Sequence, residues 1–564
     1  MLVEINITDD DISYSERLLL PQGKTFDAER RAFIERLDTL DLQAVPGSGK
    51  TTALLAKIVI LERHLPFEDG SGILVISHTN AAVDEIKRRI GKHSQNLFAY
   101  PNHVGTIQSF VDRFLSIPAF AAMIGKRPSR IDHEIYDIAV ERYYKFLPDR
   151  SSTKGWLDRK LDAVAYLKRL RFDSDLNLTE GVGGKVALKR AAGSDTYNKL
   201  AQMKMTIFNR GYLHFDDAFW FANLYLSKYP RIKDLMRKRF RYIFVDEMQD
   251  MSKHQHDLLE ELFFDDGICP SGYQRIGDRN QAIHDNRDFD VESAWHDRAS
   301  VLNLTKSCRL SSPIAAVVSS FALDRDVGFQ IDGLGEATIK PHMIIFDNDS
   351  ICSVINKFSS ILRNLIDEGK IPASGENAFK VVAWNSMWNE EHEDKTSNKV
   401  RLVDYCPMFQ KRQHKLPIDH NCIDGYLRYF DRKLPTIGAV QKSILNFILK
   451  VMRLEAVNNP ESGSHFTSNS LLKFLREKHA VFYEQFKLYL YLWSLSSVKG
   501  DTTGVVEDIR EIIPKLLQIF GKEVDQSREF INQPAEIAAA EDTTQQPPSN
   551  IVNIDGFNIE LATV

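Results

Sequence analysis

Apolar positions in the first 115 residues come in short runs separated by amphipathic stretches. Residues 26–60 read as helix, strand, loop and helix. Residues 73–76 (ILVI) form a short apolar strand, a helix follows over 81–90, and residues 103–115 give another strand and helix. Further strand signals stand at 242–245 (YIFV) and 273–276. Unbroken runs of strand length suit strands buried on both faces, and strands alternating with helices predict a parallel α/β sheet. From about 117 to 235 the pattern is helical, so a helical insert is expected to interrupt one α/β domain. A second α/β pattern begins after 335, with a strand at 342–346, a helix over 351–368 and a strand at 379–384. Residues 400–530 are helix-rich and aromatic, 533–550 read as a polar linker, and 556–564 read as a last strand.

The length, 564 residues, suggests about four domains at roughly 150 residues each. Hydrophobic residues make up 43% and charged residues 26%, which excludes a disordered or fibrous chain. The apolar runs are of strand length, so no membrane-crossing helix is expected and no membrane partner. The start, MLVEINITDDDISYSE, is acidic and unlike a secretory signal. The five cysteines, Cys269, Cys308, Cys352, Cys406 and Cys422, lie far apart without metal spacing. A reduced, cytoplasmic setting follows as the expectation. The net charge is −5, yet residues 121–210 carry +7 and the rest −12. A basic segment in an acidic chain suggests a polyanion footprint.

Chemistry concentrates in two stretches. Ala44, Val45, Pro46, Gly47, Ser48, Gly49, Lys50 and Thr51, followed by Thr52, join an apolar approach to a helix over 52–61. This is a phosphate-binding loop with Ala44 in place of its first glycine. Gly47 and Gly49 let backbone N–H groups turn around phosphate oxygens, and the helix start adds a favourable dipole. Lys50 would reach the terminal phosphates of ATP and Thr51 would hold Mg²⁺. The second stretch, YIFVDEMQD over 242–250, places acids at the carboxyl end of a buried strand, where ligands bind in parallel sheets. Asp246 would contact Mg²⁺, and Glu247 would orient and deprotonate the attacking water.

The chain resembles a superfamily 1 DNA helicase of the UvrD/Rep/PcrA type, strongly over 26–325 and weakly over 340–384. GDRNQAI at 277–283 resembles the family's GDxxQSI, whose Gln senses the γ-phosphate, here Gln281. LTKSCR at 304–309 resembles LxxNYR, whose arginine contacts that phosphate, here Arg309. ISHTNAAVDEI at 76–86 resembles TFTNKAAxEM, and GTIQSF at 105–110 resembles GTxHSF, both single-strand contacts. Phe215-Asp216-Asp217 also matches. The resemblance implies P-loop (RecA-like) parallel-sheet motor domains with large helical insertions, ATP hydrolysis with Mg²⁺, and 3′→5′ movement on single-stranded or partially duplex DNA. Motor domains closing cyclically around ATP would ratchet the strand. Its strand contacts map to His78, Thr79, Asn80, Thr106, Ser109 and Phe110.

Three departures stand out. Arg30 takes the place of a glutamine on the adenine edge, and Cys308 that of a tyrosine stacked on adenine. A permissive base pocket is therefore expected, with Arg30 free to stack on the base. His78 replaces a phenylalanine, while His284 and Asn286 stand where the family has aromatics, which lowers single-strand affinity. The family's TxHxxKG segment and later arginine motif do not occur in this sequence, and residues 558–564 resemble the strand before TxHxxKG. A C-terminally incomplete chain, with ATP bound but weakly hydrolysed, is the expectation. The expected organisation is a first motor domain at 1–116 and 206–328 and a basic helical insert at 117–205. A partial second motor domain takes 329–394 and 550–564, with a helical insert and linker at 395–549. Two other readings stand beside it: a nucleotide-sensing subunit of a phage-defence complex with a nuclease partner, and an RNA helicase.

Overall fold

The structure, a computed structural model, describes residues 5–91, 94–182, 184–187, 194–264, 271–282, 295, 298–322, 330–335, 339–371, 379–383, 385–388, 399–407, 409, 420, 422–428, 436–460, 463–533, 551–554 and 557–563. It divides into two compact units, residues 1–342 and 343–564, where length alone suggests about four.

Six strands build the central sheet of the first unit: β1 (Leu40–Ala44), β2 (Gly72–Ser77), β3 (His103–Thr106), β4 (Phe240–Val245), β5 (Gly272–Gly277) and β6 (Val301–Leu304). Their order is β6-β1-β5-β4-β2-β3, and every pairing is parallel. Leu42 lies opposite Leu302 and Ile276, and Val75 opposite Val104 and Phe244. Side chains alternate between two cores, as the two-residue period of a strand requires. Ile73, Val75 and Phe244 pack with Phe33, Leu54 and Ile58 on one face. Leu74, Ile76, Ile243 and Val245 pack with Phe110, Leu115, Leu259 and Phe263 on the other. Because all strands run one way, their carboxyl ends share one edge, and both predicted motifs emerge there. The edge strand β6 escaped the sequence reading because only Leu304 of its four residues is buried.

The insert is largely helical, around Tyr136, Val140, Leu167, Leu200 and Phe208. Its boundary at 205/206 needs correction, since that cut falls inside the helix Asp195–Asn209. The strand Tyr212–Leu213 pairs with Arg130–Ile131 and closes the insert, so it ends near 213. Asp217 ties it down: its carboxylate meets the fully buried Lys204 amine at 2.7 Å, and Lys204 also donates to the Tyr136 hydroxyl at 3.0 Å. Burial lowers the Lys204 amine to about 8 against the pull of Asp217. Arg171 donates to Asp216 at 2.9 Å. Lys154, Lys168 and Lys199 also face acids, so the local +7 overstates the open basic surface.

The helical stretch Ile107–Ile124 is long and apolar enough to cross a bilayer, contrary to the expectation from run lengths. Asp112 and Arg113 break the run in sequence, and the middle turn, Asp112–Ser116, has π geometry. Phe110, Leu115, Ala119 and Phe120 are wholly buried in the protein, so one side of the stretch packs into its cores.

The expected boundary at 328/329 also moves. The strand Asp332–Gly335 pairs in parallel with Lys306–Ser311, which keeps it in the first unit. Residues 342–346 form no strand; Met343 and Ile345, in the apolar run 343–346, are 86% and 88% exposed. In the second unit Phe379–Ala383 runs parallel to Phe557–Thr563, which pairs antiparallel with Ile551–Ile554. Ile559 and Leu561 pack with Ile355, Leu402 and Phe409. A separate helical core joins Ile444, Phe447, Leu471, Phe486, Trp493 and Ile513.

Candidate nucleotide site

β1 ends at Ala44, the chain turns through residues 45–49, and the helix Lys50–Glu62 begins. Gly47 and Gly49 have φ of 75° and 78°, left-handed values that favour glycine. A Cβ on Gly47 would lie 2.5 Å from the Arg309 Cβ, so no larger residue fits there. Three successive loop carbonyls are each held. Pro46 O accepts from Ser307 Oγ at 2.7 Å, Gly47 O from the Cys308 N–H at 3.0 Å, and Ser48 O from Arg30 Nε at 2.9 Å. In a trans peptide the next N–H points the opposite way; the Ser48 N–H closes the loop on Val45 O at 3.1 Å, and the Gly49 N–H is turned to the loop's other face. Neighbouring helices that start at Asp27, Thr79 and Thr106 are capped by those side chains. The helix at Gly49 has no side-chain cap, which leaves its first turn to an anion.

The acids follow β4. Asp246 is 1% exposed; burial pushes its carboxyl up to about 6, the charge of Glu247 adds to this, and Lys50 opposes it. Glu247 sits at φ 53°, a strained value for a side-chain-bearing residue, and its carboxylate forms an ion pair with the Lys50 amine. Gln249 Nε2 donates to Glu247 Oε2 at 2.7 Å, while the Asp278 N–H donates to Gln249 Oε1 at 3.0 Å. Gly277 makes room for this link: a Cβ there would stand 2.3 Å from Gln249 Oε1. Asp278 is pushed up to about 6, chiefly by burial. Gln281 lies one turn on, its N–H bonded to Asp278 O at 3.0 Å. Thr51 is half-buried at the helix start, and the Thr52 hydroxyl accepts from Arg89 at 3.1 Å. Val45 is buried beside Ala315 and Ile331, and Arg309 is exposed beside Gly47.

Sequence reasoning missed Gln249 and Ser307, although both lie inside the motifs it used. Arg30 needs correction. Arg30 is 7% exposed and its guanidinium is committed to Ser48 O, Lys306 O and an ion pair with Asp27, so it is not free to stack on a base. Cys308 does share its side of the site, with Sγ 3.5 Å from Arg30.

The expected strand contacts gather at the carboxyl ends of β2 and β3. His78 is half-buried, and Thr79 and Asn80 are exposed. Thr79 Oγ1 accepts from the Ala82 N–H at 3.2 Å, and Thr106 Oγ1 from the Ser109 N–H at 3.2 Å. Ser109 Oγ donates to Thr106 O at 2.8 Å. Phe110 is corrected: it is wholly buried against Phe114, Phe240 and Phe263 and offers no ring to a base. His284 and Asn286 lie outside the described residues.

Residues 27–296 match the UvrD/REP helicase N-terminal domain. The chain is 27% identical over 314 residues to the ATP-dependent DNA helicase UvrD1 of Mycobacterium leprae, covering 52% of this chain and 38% of that protein. Against UvrD1 of Mycobacterium tuberculosis the identity is 30% over 267 residues, 45% and 33% of the two chains. Against the ATP-dependent DNA helicase PcrA of Bacillus subtilis it is 25% over 297 residues, 48% and 36%. The alignments thus span about a third to two fifths of these relatives. The UvrD/REP match takes in the loop, Asp246, Glu247, Gln249 and Gln281, and Arg309 lies beyond it.

Proposed function

We propose that this chain hydrolyses ATP and uses it to move 3′→5′ on single-stranded DNA. The Lys50–Glu247 ion pair carries the reading: it brings a phosphate-binding cation and a proton acceptor together beside the glycine loop. A triphosphate fits the uncapped helix start and the N–H groups of the loop. Mg²⁺ fits the oxygen donors Thr51 and Asp246, which would hold it and let it neutralise phosphate charge. Lys50 then leaves Glu247 for the terminal phosphates. The freed Glu247 carboxylate orients water and accepts its proton, with Gln249 fixing its position. Gln281 and Arg309 bind the terminal phosphate. Thr79, Asn80, Thr106 and Ser109 take the strand's phosphates, and the insert takes duplex. The named relatives are DNA helicases, which favours DNA over RNA, and the cytoplasm is the setting.

The test is ATP turnover by the full chain with single-stranded DNA, matched RNA or neither. DNA should stimulate turnover and RNA should not. Turnover indifferent to DNA would remove the translocase and leave a nucleotide sensor.

A further inference from the structure

Of the three loop carbonyls that are held outward, two are fixed by the strand Lys306–Ser311, through Ser307 Oγ and the Cys308 N–H. Ser48 O alone depends on a side chain from another element, Arg30 of the helix Ala28–Glu35. Arg30 also donates to Lys306 O at 2.9 Å, so one guanidinium joins the helix, the loop and the strand. Its orientation is set from behind. Asp27 caps the helix by accepting the Arg30 N–H at 3.0 Å and ion-pairs with the same guanidinium. Lys306 Nζ approaches Asp27 at 3.9 Å.

We propose that Arg30 is a positioning residue for the phosphate loop, and that what it contributes to binding is felt by the triphosphate and not by the base. This rests on the nucleotide reading above. The peptide after Ser48 leads into Gly49, which has no Cβ to restrict its rotation. With Ser48 O held, the Gly49 N–H keeps its aim. Without Arg30 that carbonyl is left buried and unpaired, and the peptide is free to turn its N–H away from a phosphate. The loss is therefore the same for any ligand with the same phosphates.

The experiment measures dissociation constants of the full chain, with Mg²⁺, for ATP, GTP and inorganic tripolyphosphate. Arg30→Ala should weaken all three by one common factor, roughly 10–100-fold for a charge-assisted hydrogen bond. Arg30→Lys should recover part of the loss for all three. Loss for ATP with tripolyphosphate unchanged would make Arg30 a base reader and overturn the proposal. Unchanged constants with a lower melting temperature would overturn it too, leaving a purely structural residue. Should Arg30→Ala fail to fold, Arg30→Gln and Arg30→Lys carry the same comparison. A wild-type chain that binds none of the three overturns the nucleotide reading itself, and the role of Arg30 with it.

Discussion

The two ends of the carboxyl edge of the sheet are built differently. At the β1–β4–β5 end, side chains from separate segments hold one another: Arg30 on Ser48, Ser307 on Pro46, Lys50 on Glu247 and Gln249 between Glu247 and Asp278. At the β2–β3 end, Thr79, Thr106 and Ser109 bond within their own first helical turns, Ser109 Oγ also lying 3.5 Å from His103 Nε2 of β3, and Phe110 belongs to the core. The first end is a preorganised site whose parts fix each other. The second is built around two helix caps, Thr79 exposed and Thr106 half-buried, each serving its own backbone. A motif residue can thus serve a ligand, the backbone or the core, and only its partners tell which.

The largest effect should come from breaking the preorganised end at its base. Glu247→Gln keeps size and the Gln249 contact but deletes the proton acceptor, so DNA-stimulated turnover should fall by about 10²–10⁴-fold. Nucleotide affinity should stay level or tighten, since Lys50 no longer needs to leave a carboxylate. Titration with a fluorescent ATP analogue beside steady-state turnover separates the two, and equal loss of both points to a fold or metal defect. Next comes Lys50→Ala, which should weaken ATP binding by roughly 10–100-fold through loss of a charge-assisted contact. An unchanged dissociation constant would end the phosphate-loop assignment.

The difference between the ends also explains what the sequence made legible. Glycines and a lysine in GSGKT act through their own backbone and their neighbours, so their spacing predicts the loop. The acids of DEMQD are legible because a buried strand must end where polar residues begin. Arg30 and Gln249 bond across the fold, Arg30 to Lys306 and Gln249 to Asp278, and no local pattern reports this. The same holds for Tyr212–Leu213, whose two residues are a strand only because Arg130–Ile131 lies alongside. Residues 342–346 fail in the opposite way: they have a strand's apolar run without a ladder.

A pH series probes the seam between the β3 helix and the insert. Burial pushes Asp112 up to about 7, against a hydrogen bond from Gln108 and the charge of Arg130. Unfolded, the carboxyl titrates near 3.8, so between these values the folded chain keeps a proton that the unfolded chain has lost. Its stabilising share is whole below about 4 and is lost as pH rises through 7. Asp112→Asn should therefore melt above the wild type at pH 8, by less at pH 5, and close to it only near pH 4. Burial lowers His103, in contrast, to about 4; its effect works in the other direction, costing stability as pH falls from 6.5, and is common to both proteins. A melting difference independent of pH would show that Asp112 is charged throughout.

The smallest effects should sharpen the reading of the β2 end. Thr79 caps its helix through Oγ1, so Thr79→Ala should cost about 1 kcal/mol of stability, and Thr79→Ser, which keeps the hydroxyl, should restore it. Asn80 is exposed at the first helical position, and Asn80→Ala removes a group that the cap does not use. If this end meets a strand's phosphates, Asn80→Ala should weaken binding of a single-stranded oligonucleotide by about fivefold, or about 1 kcal/mol for one neutral hydrogen bond, with the melting temperature unchanged. Thr79→Ala should shift both readouts. Anisotropy titration at fixed salt beside thermal melting measures them, the salt being held because phosphate contacts are salt-dependent. An Asn80→Ala chain with wild-type affinity would place the strand elsewhere, and Thr79 and Thr106 would then be caps and nothing more.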